Sequence, residues 1–176
     1  MDQMFDSLGV SGEKIVGPIT PHYAVGVALG YLEALKKCEP PFLVLEDDAT
    51  LVQSLSSMGS IEIPDDADAL YLGTTLSGRV KGVTLQRTVI AAHVDDKIMR
   101  VFNMLGFHAI VYTSKTYVQR CIEILENYLS NPVGGCDDPI AENMWRHNVY
   151  SLKSPMFYQK DGRNDAITKI PIDILL

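Results

Sequence analysis

The stretch PPFLVLEDDATL, Pro40 to Leu51, decides how this chain is read, because it runs four apolar residues into three consecutive acids. The double proline excludes a helix reaching into it, and Phe42 to Leu45 is too short for a helix of its own, so the run predicts a strand buried in the middle of a sheet. In parallel α/β sheets ligands collect outside the carboxyl ends of the strands, which is where Glu46, Asp47 and Asp48 would stand. Side chains alternate along a strand, so Glu46 and Asp48 are expected to share one face while Asp47 points to the other. Such a two-carboxylate edge suits Mg²⁺ or Mn²⁺, which prefer oxygen ligands and bridge carboxylates to phosphates. The plainer alternative is that the acids terminate a strand, solvate a loop or cap a turn.

Alternating elements surround this stretch. Between His22 and Lys37 the apolar residues Val25, Ala28, Leu29, Leu32 and Leu35 recur at helical spacing, with Lys36 and Lys37 at the carboxyl end. Asp68 to Thr75 and Phe107 to Tyr112 repeat the pattern of a short apolar strand ending in polar residues. Ser114 is placed to cap a helix whose face is Val118, Cys121, Ile122, Leu125 and Leu129, ended by NPVGG at 131–135. A further helix is expected from Pro139 to His147 with Asp138 as its N-cap. The segment from Thr84 to Met99 reads as a strand pair or hairpin. Together these predict a single domain over 1–176, a three-layer α/β/α arrangement with a mainly parallel central sheet.

A second acidic pair, Asp137-Asp138, follows a Gly-Gly turn and precedes a helix. A carboxylate there can face the first acids and act as a general base on an acceptor hydroxyl. Asp138 before Pro139 reads equally as an N-cap, whereas Asp137 is freer to face a ligand. His22, His93, His108 and His147 share no ligand spacing and read as packed or surface residues. Gly26 and Gly30 suit close helix packing, and the Trp145–Tyr150 region offers either a core cluster or an aromatic platform for a sugar.

Composition narrows the function classes. Among 176 residues, 47% are hydrophobic, enough for a substantial core. Fifteen basic against 22 acidic residues give a net charge of −7, and without a Lys/Arg cluster a nucleic-acid ligand is not expected. Cys38, Cys121 and Cys136 form no CxxC motif, which argues against a disulfide framework or structural zinc and fits a reducing compartment. No apolar run approaches the roughly 18 residues of a membrane span, and Met1-Asp2-Gln3 lacks the basic flank of a signal peptide. The expectation is a soluble, cytoplasmic protein.

The segments GVALGYLEAL, FLVLEDDATL, ALYLGT, GFHAIVYTS, DDPIAENMW and PMFYQKDGRNDAI, in that order, resemble glycosyltransferase family 25, the group of lipopolysaccharide and collagen galactosyltransferases. The resemblance covers Gly26 to Ile167. It implies a GT-A-like fold in which Glu46-Asp47-Asp48 is the metal and nucleotide-sugar motif, with Asp48 and Glu46 on the metal and Glu46 and Asp47 near the donor. It further implies that Asp137 or Asp138 is the base, and that Gln159, Arg163 and Asp165 lie on the donor, Asp165 within Asn164-Asp165-Ala166. Lys160 and Arg163 could add positive charge near a diphosphate, surface solvation being the commoner role for such residues. The sequence departs from the family where Gly30-Tyr31 replaces a Ser-His pair on the first helix. The first strand of the nucleotide-binding fold is also expected to be missing, to be supplied by another subunit in a homo-oligomer or lost with donor affinity. The function implied is Mn²⁺- or Mg²⁺-dependent transfer of a hexose from a nucleotide-diphosphate sugar, a UDP-sugar foremost, to a saccharide or other hydroxylated acceptor, with inversion. The rival is a non-catalytic sugar- or nucleotide-binding module on a degenerate GT-A fold, with a metal-dependent phosphohydrolase ranked last.

Overall fold

A computed structural model describes residues 11–52, 62–75, 77–85 and 89–159. The chain is mixed α/β. Helix α1 spans Tyr23–Lys37, and its inward face is Ala28, Tyr31, Leu32 and Leu35, the i, i+3, i+4, i+7 set of one helical stripe. Leu29 falls off that stripe and is 36% exposed, whereas Tyr31, absent from the expected face, is buried. Lys36 and Lys37 favour the carboxyl end electrostatically. Lys36 pairs with Glu126 of the second long helix, an exposed ion pair of little energetic weight.

Six strands form the main sheet: β1 (Phe42–Leu45), β3 (Ala69–Tyr71), β6 (Ile90–His93), β7 (Ile98–Asn103), β8 (Ala109–Tyr112) and β9 (Val149–Leu152), in the order β1-β8-β3-β9-β7-β6. Only β3 and β9 pair in parallel; the other four junctions are antiparallel. The sheet is therefore mixed, and the expectation of a mainly parallel one is corrected. The physical reason lies in the connections. β6 and β7 are joined by the short segment 94–97, which permits only a hairpin, and β8 inserts antiparallel between β1 and β3. β1 is an edge strand rather than a central one, and its residues are accordingly half-buried or exposed.

Helix α2 (Lys115–Ser130) begins at Ser114, whose hydroxyl accepts the Tyr117 N–H at 3.3 Å, the expected N-cap. Helix α3 (Asp138–Asn143) is followed by a 3₁₀ turn, Met144–Arg146. One core cluster unites Leu35 of α1, Val118, Cys121 and Leu125 of α2, and Ile140 of α3 with Tyr71, Val101, Ile110 and Tyr112 of the sheet. The opposite face is covered by a ribbon of β2 (Ala49–Leu51) and β10 (Phe157–Gln159) over Leu70, Ile98, Ala109 and Leu152. Among the described residues, the helices thus pack with one face of the sheet and a two-stranded ribbon with the other. A separate hairpin, β4 (Gly78–Val80) and β5 (Val83–Leu85), turns through Lys81-Gly82, both at positive φ.

This topology points the carboxyl ends of β1 and β3 and the approach to β8 toward one margin of the sheet. Registry fixes it: Leu45 lies opposite Ala109, and Tyr71 opposite Ile110.

Candidate functional site

The acids that follow β1 stand on that margin, but not as an extended strand. The Glu46 N–H donates to the His108 carbonyl at 3.1 Å, and the Ala49 N–H closes a turn on the Glu46 carbonyl at 3.1 Å. Asp47 and Asp48 are the central residues of that turn, so the turn rather than strand alternation sets their directions. Glu46 is half-buried, Asp47 is exposed and Asp48 is half-buried.

Glu46 is strongly perturbed. Burial, followed by the charges of Asp48, Asp137 and Asp47, pushes it up to about 8. Asp137 comes from the other half of the chain, from the loop before α3, and its carboxyl is also raised, chiefly by burial. Its Oδ2 accepts the Gly106 N–H at 2.8 Å, which anchors it to the loop leading into β8. The Gln159 amide reaches Glu46 Oε2 at 3.4 Å, because the β2–β10 register sets Gln159 opposite Ala49. The structure therefore brings together Glu46, Asp48, Asp137 and Gln159. Arg163 and Asp165, with Lys160, lie outside the described residues.

Asp138 is turned elsewhere. The N-cap position of α3 belongs to Asp137, and Asp138 is the first helical residue. Its Oδ2 accepts the Gly135 N–H at 3.0 Å and pairs with the Arg79 guanidinium at 3.3 Å. The Gly-Gly turn makes both placements possible. A Cβ on Gly134, at φ 75, would lie 2.4 Å from Asp138 Oδ2, and one on Gly135 would lie 2.5 Å from Asp137 Oδ1. Glycine suits both positions because the carboxylates occupy the space a side chain would fill, and Gly134 also has a left-handed backbone.

Several neighbours carried no signal as isolated residues. Tyr23 opens α1 largely exposed, and partial desolvation together with the charges of Glu46, Asp48 and Asp47 raises its phenol. The buried Cys136 thiol is pushed up to about 12 by burial, Asp137 and Glu46, so it is no nucleophile. His108 is packed as expected of a core histidine: it is 2% exposed, and burial lowers it to about 4. A Cβ on Gly73 would fall 2.0 Å from its Nε2, so the ring fills the open side of that glycine. Arg79 was not singled out from the sequence, since its partner Asp138 lies 59 residues on, a separation no local pattern bridges. The Trp145–Tyr150 region lies toward the opposite margin, at the start of β9. Tyr150 is buried with its hydroxyl donating to Asp66 at 3.0 Å, and the exposed Trp145 is covered by Arg146 at 4.9 Å, so neither is a platform at the acidic site.

Among the described residues no group of three or more His, Cys, Asp or Glu side chains is gathered closely enough to enclose a metal ion. The donor chemistry nevertheless fits Mg²⁺ or Mn²⁺. Those ions are held by one or two carboxylates and completed by water and phosphate oxygens, and the mutual repulsion around Glu46 is what a cation relieves. Comparison with protein-family models, curated proteins and solved structures found no match. No described helix is long and apolar enough to cross a membrane.

Proposed function

We propose that the protein is a glycosyltransferase that moves a hexose from a nucleotide-diphosphate sugar, foremost a UDP-sugar, to a hydroxyl acceptor with inversion. The observation that carries this is the meeting of Glu46 and Asp137 at one sheet margin, where the charges acting on the half-buried Glu46 are those of other carboxylates. Burying like charges costs stability, and functional sites are where such perturbed carboxyls cluster. The GT-A-like reading of the fold belongs to the same proposal. It is supported by the acidic turn after β1 and by Gln159 returning beside it, not by strand direction.

Roles follow from placement. Glu46 and Asp48 would hold Mn²⁺ or Mg²⁺, which when bound neutralises the diphosphate. Asp47, exposed on the turn, and Gln159 would face the donor. Asp137 is the base: its raised carboxyl lies nearer working pH than an ordinary aspartate, and it is anchored by the Gly106 N–H with no ion pair among the described residues. It takes the acceptor's hydroxyl proton as that oxygen bonds to the anomeric carbon, while the bond to the diphosphate oxygen breaks and the diphosphate leaves with the electron pair. Asp138, engaged by Arg79, is a positioning residue. The test is calorimetry with UDP- and GDP-sugars with and without Mn²⁺, followed by transfer to saccharide acceptors. Mn²⁺-dependent binding that disappears in Asp48→Ala is the expected result, and the same binding in that variant overturns the assignment. Donor binding without transfer to any acceptor would favour the binding-module reading.

A further inference from the structure

The β4–β5 hairpin is clamped beside the acidic margin, and its guanidinium keeps donors in reserve. Asn103 holds the Arg79 backbone from both sides, accepting its N–H and donating to its carbonyl at 2.5 Å each, and donates to the Ala141 carbonyl of α3 at 3.0 Å. The Gly82 N–H at the hairpin turn donates to Glu142 Oε1 at 2.8 Å. Asp138 and Glu142 are four residues apart on one edge of α3, so that edge grips the hairpin at its base and at its turn.

Within this clamp the Arg79 side chain is 21% exposed. Nη1 donates to Thr84 Oγ1 at 2.9 Å, and Nη2 meets Asp138 Oδ2 at 3.3 Å through a single contact rather than a fork. Among the described residues these contacts occupy at most two of the five N–H donors a guanidinium carries. Its charge already reaches the site, where it acts on Asp137. Asp138 also has the Gly135 N–H, so a turn of the guanidinium would not strip it of partners.

We propose that Arg79 is the anion-binding residue of this site and takes the diphosphate of the donor; this rests on the glycosyl-transfer reading. A leaving diphosphate is stabilised by preorganised positive charge, and a guanidinium matches phosphate oxygens through paired donors where an ammonium offers only a point charge. The clamp holds the residue's backbone, so recognition needs only a side-chain rotation.

The test titrates inorganic pyrophosphate, UDP and uridine, each with Mn²⁺ at fixed ionic strength, into the wild type, Arg79→Ala, Arg79→Lys and Asp48→Ala, with thermal melts alongside. Arg79→Ala weakens pyrophosphate and UDP by about tenfold to a hundredfold, the range for hydrogen bonds to charged groups, and leaves uridine binding unchanged. Arg79→Lys recovers only part of the loss. A folded Arg79→Ala that binds pyrophosphate like the wild type overturns the proposal. If Arg79→Ala does not fold, Arg79→Lys decides, and wild-type pyrophosphate affinity in that variant overturns it. Loss of Mn²⁺-dependent binding in Asp48→Ala beside unchanged binding in Arg79→Ala removes Arg79 alone and leaves the site reading standing. A wild type that binds neither pyrophosphate nor UDP removes both.

Discussion

The two margins of the central sheet treat their acids in opposite ways. At the amino end of β3, Asp68 accepts the Asn148 N–H at 2.9 Å and lies 3.7 Å from His147 Nδ1, while Asp66 accepts the Tyr150 hydroxyl. Each of these acids faces a donor and ties β3 to the approach to β9. At the carboxyl end, Glu46 faces Asp48, Asp137 and Asp47. Both margins are polar turns between strands, so exposure alone does not separate them. What differs is what the carboxylates face: at one margin hydrogen-bond donors make them fasteners, and at the other carboxylates are held against their own repulsion.

The largest expected effect is on turnover. Asp137→Asn keeps the shape and the Gly106 contact but cannot accept a proton, and is expected to lower the rate of sugar transfer by at least about a hundredfold with donor binding retained. Asp138→Asn keeps an acceptor for Gly135 and is expected to fall well short of that loss. Measuring transfer beside donor affinity checks both, and equal losses would dissolve the division between the two aspartates.

Stability sharpens the contrast, because the two margins are expected to respond with opposite signs. Asp68→Ala strands the Asn148 N–H and is expected to cost about 1–3 kcal/mol in denaturant unfolding. Glu46→Gln is expected to stabilise the protein at pH 8. Below about pH 4.5 Glu46 is protonated in both folded and unfolded chains; between about 4.5 and about 8 the folded chain keeps a proton that the unfolded chain releases, so stability falls as pH rises and then levels off. Asp137 acts in the same direction. A melting temperature that drops across this window, flattens in Glu46→Gln and recovers with Mn²⁺ at pH 8 is the expected profile; a flat wild-type profile would break the comparison.

A smaller effect separates two glycines of the same backbone conformation. Gly134 and Gly82 have φ of 75 and 76, but a Cβ on Gly134 meets Asp138 whereas one on Gly82 meets nothing within 4 Å. Gly82→Ala carries only the cost of a left-handed backbone, about 1 kcal/mol, and Gly134→Ala is expected to cost more and to weaken the Arg79–Asp138 pair. Equal melting temperatures for the two variants would show that the turn has room to relax.

The helices and the strands β1, β3 and β8 were legible because each announces itself within a few residues, whereas β2, β4, β9 and β10 were not read. The stripe of α1, the Ser114 cap and the apolar run of β1 are local patterns. Strand direction across the sheet was not, since a short apolar run reads alike whichever way it pairs, and β8 inserts beside β1 from 64 residues away. The site divides along the same line. Glu46 to Asp48 and Asp137 were visible as acids beside breaks in apolar pattern. The different employment of Asp137 and Asp138 depends on Gly106 and Arg79, both distant in sequence.

The position of β1 has a consequence for how the molecule comes apart. Among the described residues, this strand has a neighbour on one side only, β8, yet it carries Glu46, Asp47 and Asp48. Edge segments with half their ladder open locally at lower free energy than the sheet interior. The amides of Phe42 to Leu45 should therefore exchange with solvent sooner than those of β3 or β9, and warming should scatter the acidic turn while Tyr71, Ile110 and Leu125 are still packed. The acidic turn can come apart before the core loses its shape.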